Sequence, residues 1–335
     1  MNIQDWLLDS DSAIRWQVLR DLVRAPAAVV VAERAKVATE GWGARLLALQ
    51  GEDGQWAGGA CFPAQTSNWR VEGQPWISTL PTLQLLHDFG VDPGSDRVRR
   101  AVAQVKSNCR WEHAGQPFFS GEVEPCINGR TVTLGTYFDQ DMGGVVTRLL
   151  GEQLEDGGWN CDAENGSVRS SFNTTINVLE GLLAYERATG GSADIVLARR
   201  KGEEYLLERK LLRRKSTGEV VNPKWLEFSF PNRWHYDVLR ALEYFRSVGD
   251  APDPRMREAI ELLRSKQRPD GTWPLENTYP GKVHFSLEDG DSQPSRWNTL
   301  RALRVLRWYD NSSVTPPRRP AKRYKASMDL SSRDG

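Results

Sequence analysis

Apolar positions recur along this chain at helical spacing, and they fall into two kinds of segment that alternate. One kind, at 26–50, 95–108, 143–154, 193–213 and 254–267, is rich in charge and keeps its apolar residues on one stripe, the pattern of helices with one face in water. The other kind, at 11–24, 75–89, 127–138, 170–187, 231–247 and 294–309, is less charged, and its copies resemble one another. Arg15-Trp16-Gln17-Val18-Leu19-Arg20-Asp21-Leu22 matches Arg296-Trp297-Asn298-Thr299-Leu300-Arg301-Ala302-Leu303, and Arg233-Trp234-His235-Tyr236-Asp237-Val238-Leu239-Arg240 is the same pattern with two extra residues. The first kind predicts an outer layer and the second an inner set of helices. The only β-branched run, Val29-Val30-Val31, lies inside a helical pattern, so no strand is expected.

The joints between segments repeat as well. Gln50 to Trp56, Gln153 to Trp159 and Gln267 to Trp273 share the pattern Gln-x-x-x-Gly-x-Trp, each after an amphipathic stretch and before a helix of the inner kind. Asp-Gly within each copy supplies a turn, because glycine tolerates a positive φ. Looser copies fall at Val105 to Trp111 and Leu212 to Trp225. Six inner helices joined in this way are enough to close one ring. The expected fold is therefore all-α, an α/α toroid of six inner helices inside an outer layer, spanning 1–310. The stretch 311–335, with Pro316, Pro317 and Pro320 among Arg, Lys and Ser, is expected to be a disordered basic tail.

Composition narrows the partners. Lys+Arg and Asp+Glu both number 44, so no net field favours nucleic acid. No apolar run is long enough to span a bilayer, so no membrane insertion is expected. The first residues lack a signal-peptide pattern and the four Cys lack a disulfide framework, so the expected compartment is the cytoplasm. Thirteen Trp in 335 residues point to a repeated structural role or an aromatic-lined cavity, and a concave Trp-rich centre would suit a hydrophobic or amphipathic small molecule as partner.

The Gln-x-x-x-Gly-x-Trp turns resemble the QW motifs of squalene–hopene cyclases, and the size and one-ring layout resemble the β subunits of protein prenyltransferases. The resemblance covers residues 11–310. It implies that each Gln bonds to backbone at a helix end and stacks on its Trp, stapling neighbouring outer helices. The superfamily contains carbocation cyclases, zinc prenyltransferases and non-catalytic binding proteins, so the fold does not choose among them.

In such a ring the turns deliver all inner N-termini to one rim, where helix dipoles favour negative charge. That rim is the expected site, with Trp76, Asn173, Arg233, Trp234, His235, Asp237, Arg296, Trp297 and Asn298 as candidate ligand contacts. The cyclase acid motif implied by the resemblance, Asp-x-Asp-Asp, has only Asp139-Gln140-Asp141-Met142 as its nearest match, without the last Asp and on the opposite rim, where the pair reads as a helix cap. The prenyltransferase zinc motif, Asp-x-Cys followed by a His, is matched by Glu124-Pro125-Cys126, but Asn173 stands where the His would be. His235 on the next inner helix is the substitute, which makes Cys126 and His235 the candidate metal ligands and zinc the cofactor the resemblance implies. Glu288-Asp289-Gly290-Asp291 precedes the last inner helix. Asp289, Asp291 and Glu124 are the candidate catalytic carboxylates, since a carboxyl in a dry pocket has a raised pKa and can donate a proton. The repeated Arg-Trp pairs admit two roles: bracing between helices, or holding an anion and an apolar ligand at the rim. Two functions follow, an enzyme for cyclisation or alkyl transfer and a protein that holds its small molecule without turnover.

Overall fold

The computed structural model describes residues 2–65 and 73–313. The inner helices are α2 (Ser12–Val18), α5 (Thr79–Phe89), α7 (Pro125–Tyr137), α9 (Phe172–Thr189), α11 (Val238–Val248) and α13 (Arg296–Ser313). Outside them lie α1 (Ile3–Leu8), α3 (Ala27–Ala35), α4 (Gly41–Ala48), α6 (Asp96–Asn108), α8 (Gly143–Gly151), α10 (Ala193–Leu207) and α12 (Arg257–Ser265). Each inner helix packs on the next, α2 on α5, then α7, α9, α11 and α13, and α13 packs back on α2. The fold is an all-α toroid. Among the described residues no helix is long and apolar enough to cross a membrane.

Local chemistry starts and stops the helices where the pattern expects. Asp11, Ser171 and Asp237 cap α2, α9 and α11 through side-chain oxygens that accept from Ala13, Thr174 and Arg240 backbone N–H groups. The tightest contact is between α7 and α9, and it depends on glycine. A Cβ on Gly129 would stand 2.5 Å from the Asn177 carbonyl oxygen, and one on Gly181 would stand 2.4 Å from that of Gly129.

The three Gln–Trp turns adopt one geometry. Trp56, Trp159 and Trp273 are fully buried, and each donates its indole N–H at 2.7 Å to a carbonyl in the last turn of the preceding outer helix, Leu46, Leu149 and Leu263 respectively. Their backbone N–H groups donate to the hydroxyls of Thr79, Thr175 and Thr299 on the inner helices. Gln50 and Gln153 each donate to two carbonyls, one in the turn and one on the next outer helix, Ala101 and Ala198. Among the described residues Gln267 reaches only the Gly271 carbonyl, at 3.3 Å.

Three details depart from the sequence expectation. The fifth inner helix begins at Val238, well after 231, because Asp237 is its cap and Arg233 sits in the left-handed region at φ 57°. Trp273–Pro274 and Pro294–Ser295 form a two-residue antiparallel pair that sets the loop before α13. Residues 311–313 continue α13, and the remainder of the expected tail, 314–335, lies outside the described residues.

Candidate ligand cavity

A cavity of about 460 Å³ occupies the ring. Its walls come from the middle and C-terminal halves of the inner helices. Exposed Arg20 and Arg187 stand at its mouth, and buried Phe230, Arg233, Trp297 and Arg301 at its floor. The expected rim is therefore the closed end. There the 73–76 segment crosses the 280–282 segment, with Trp76 donating its backbone N–H to the Lys282 carbonyl at 2.7 Å and its indole N–H to that of Pro280 at 2.9 Å. Trp234 donates to the Gln74 side chain, and His235 stacks between Trp234 and Tyr279 at centroid distances of 3.7 and 3.8 Å. Burial, with Arg240 and Arg130 nearby, pushes the His235 pKa down to about 3, so the ring is neutral.

Of the sequence-predicted ligand contacts, Arg233 and Trp297 line the cavity, and Trp76 backs Arg233, whose guanidinium lies 5.0 Å from the Trp76 ring centroid. Asn173, Asp237 and Asn298 are engaged by the fold itself. Asn173 accepts from the Tyr236 N–H, Asp237 caps α11, and Asn298 donates to the Phe228 and Pro274 carbonyls. The three Arg-Trp pairs do not gather their arginines. Arg15 bonds outward to Glu33 on α3, and Arg296 to the Trp6 carbonyl and ring on α1. Both lie within the first turns of regular helices with the side chain facing the outer layer, whereas the extra residues before α11 turn Arg233 inward.

Asp289 and Asp291 are exposed, and neither lines the cavity; Asp291 accepts from the Thr278 hydroxyl at 2.5 Å. The half-buried carboxyl of that loop is Glu288, which accepts from the Ser295 hydroxyl and the Trp297 N–H at the start of α13. Burial pushes its pKa up to about 7, with those hydrogen bonds acting against the rise.

Cys126 and His235 do not form a site together. Beside Cys126 stand Glu124 and Cys161, with the three ligand atoms within 4.8 Å of one another. The Cys126 thiol donates to Glu124 at 3.4 Å, and Cys161 contacts the Thr174 hydroxyl at 3.5 Å. His235 is not part of this group; its ring lies in the Trp234–Tyr279 stack. Two sulfurs and a carboxylate oxygen at this spread fit zinc with one coordination position open.

The cavity's own charges were not anticipated. They stand on the inward faces of inner helices, on Asp88, Glu180, Arg240, Glu243, Arg301 and Arg304. The signal was present: helices that are buried nearly all round still carry Arg and Glu. Each carboxylate among these has donors. Glu180 takes both oxygens to Arg240 at 2.8 and 2.6 Å, and Glu243 pairs with Arg246 at 2.9 Å and faces Arg304 at 3.7 Å. Asp88 accepts from Gln84 at 2.9 Å and stands 3.1 Å from His87. Burial opposes the charge of Arg240, but the Glu180 carboxylate more than offsets it.

An all-α ring around an aromatic and cationic cavity is the class these features define. No protein-family model and no curated protein matches the sequence. Among solved structures the chain is similar to the type II terpene cyclase MstE from Scytonema. A point variant in complex with geranylgeranyl dihydroxybenzoate as substrate shares 16% identity, with 88% of this chain and 84% of that chain covered and a TM-score of 0.37. A ligand-free variant shares 16%, covering 82% and 94%, with a TM-score of 0.33. At this identity the likeness concerns fold and says nothing of chemistry.

Proposed function

We propose that this protein holds a hydrophobic or amphipathic small molecule in the central cavity, without turning it over. The observation that carries this reading is the cavity wall itself, where Trp16, Phe230, Trp297, Tyr137 and Tyr244 stand among guanidinium groups in a volume suited to a small organic ligand. Proton-initiated cyclisation needs a neutral carboxylic acid facing the ligand. The carboxylates that line the cavity are instead tied to neighbouring side chains, Asp88 to Gln84, Glu180 to Arg240 and Glu243 to Arg246. The same reading takes 1–310 as one domain and the cytoplasm as its place.

A second reading, alkyl transfer, is favoured by one observation, the Glu124–Cys126–Cys161 cluster. A zinc ion held there would lower the pKa of a bound thiol or water. These three residues would orient the ion at the closed end of the ring.

The test is a titration with N-phenyl-1-naphthylamine, a neutral apolar fluorophore, read by energy transfer from tryptophan. The parent should bind it. Ala184 lines the cavity and is small, so Ala184→Trp fills the space without removing a core residue. A folded Ala184→Trp variant should lose the probe. Binding equal to the parent's would place the ligand elsewhere and remove the reading.

A further inference from the structure

The arginines around the cavity differ in what neutralises them. At the mouth, Arg34 donates to the Gly90 carbonyl and the Tyr137 hydroxyl, and Arg187 to the Ser247 carbonyl. These carbonyls lie at the C-terminal ends of inner helices, where the helix dipole presents partial negative charge. Midway down, Arg240 has Glu180, and Arg304 has Asp21. Arg301, on the floor, donates to the Ser229 carbonyl and the Asn298 amide oxygen.

Among the described residues Arg130 and Arg233 have nothing comparable. Arg130 is 4% exposed, and its Nε and Nη2 are buried with no hydrogen-bond partner among the described residues. Arg233 is 8% exposed and has no hydrogen bond or ion pair among the described residues, only the Trp76 ring face. Burial, then the Arg130 charge, pushes the Arg233 pKa down to about 9. Burial likewise opposes the charge of Arg130. Asp88 acts favourably on both, yet its own hydrogen bonds are with Gln84 and His87. Arg233 is also held at φ 57°, a conformation that disfavours any residue with a Cβ. A guanidinium stays protonated at neutral pH, so two buried ones within reach of each other's charge call for an anion that the described residues do not supply.

We propose that Arg130 and Arg233 anchor the anionic head of the cavity's ligand, and that this head carries at least two negative charges, as a phosphate, diphosphate or dicarboxylate does. This rests on the cavity being the ligand site. Arg233 lines the cavity floor. Arg130 lies on the same face of α7 as Thr133 and Tyr137, which line the wall at i+3 and i+7. The apolar body of the ligand then lies along Trp16, Phe230 and Trp297.

Inorganic pyrophosphate is the probe, titrated by calorimetry and thermal unfolding into the full chain, with phosphate, malonate and acetate at matched ionic strength. Pyrophosphate should bind and raise the Tm, acetate should not, and the order of phosphate and malonate tells phosphoryl from dicarboxylate heads. Arg130→Met and Arg233→Met each keep an apolar stem and remove an uncompensated charge. Each should therefore raise the Tm of the unliganded protein and weaken pyrophosphate binding by about thirtyfold or more. No binding of any dianion, or Met variants that bind pyrophosphate as the parent does, would overturn the anchor. If N-phenyl-1-naphthylamine still binds in that case, the cavity reading stands and only the anchor fails.

Discussion

Trp159→Ala tests the turn geometry most directly. The side chain is fully buried, and its ring packs against α10 at Gly202, where a Cβ would stand 2.8 Å from the indole and 2.9 Å from Leu179 of α9. A buried indole removes roughly 150–250 Å² from water, worth about 4–6 kcal/mol at ~25 cal/mol per Å². Ala keeps a small part of that. The lost bond to the Leu149 carbonyl adds little, since that oxygen still accepts from the Glu152 N–H at 3.3 Å. Packed helices on both sides limit collapse into the space, so a loss of about 4 kcal/mol is expected. Urea unfolding followed by helical circular dichroism measures it, with an unchanged slope showing that the unfolded state is the same. The two Gln positions give an internal ranking. Gln153→Ala removes two bonds to carbonyls and should cost about 1–3 kcal/mol, whereas Gln267→Ala removes one long bond and should cost about 0.5 kcal/mol. A Trp159→Ala loss below about 1 kcal/mol, or the reverse Gln ranking, would refute the staple.

Glu288 makes stability depend on pH. Its folded pKa, about 7, lies above the ordinary value of 4.5, so the folded chain binds the proton more tightly and stability falls as pH rises from 4.5 through 7. Glu288→Gln should be more stable than the parent at pH 8, by up to roughly 3 kcal/mol, and should lose that advantage near pH 5; parallel pH profiles would exclude the effect. If the Glu124–Cys126–Cys161 cluster holds zinc, protein never exposed to chelator should carry about one zinc per chain by elemental analysis, lost in Cys161→Ser and kept in His235→Gln. Zinc retained in Cys161→Ser would remove Cys161 from the ligand set. Arg296→Ala, whose side chain faces Trp6 on the outer layer, should leave N-phenyl-1-naphthylamine binding unchanged, and a loss of binding in folded protein would restore it to the site.

The ring and its joints were legible in the chain because they rest on local rules. Helical periodicity separates the inner from the outer segments, and a Gln, a turn glycine and a Trp at fixed spacing close each turn locally, the Gln on the turn carbonyl four residues on and the Trp on the helix just before it. The recurring Thr79, Thr175 and Thr299, which accept from the turn Trp N–H groups, carry the same repeat, but each lies well beyond its turn in sequence, where no local spacing marks it. The site obeyed no such local rule. Which end of the ring is closed was decided by two loops about two hundred residues apart, when the Trp76 N–H groups met the Lys282 and Pro280 carbonyls. Arg15, Arg233 and Arg296 share a dipeptide, but only a left-handed residue and a late helix start turn Arg233 inward. Cys126 meets Cys161 and Glu124, on another loop and at its own helix start, while the His235 imidazole stacks between Trp234 and Tyr279. Spacing along one helix specifies which residues share a face, but which charges meet across the ring depends on how helices distant in sequence are rotated and staggered against one another, and that is set only when the whole ring packs.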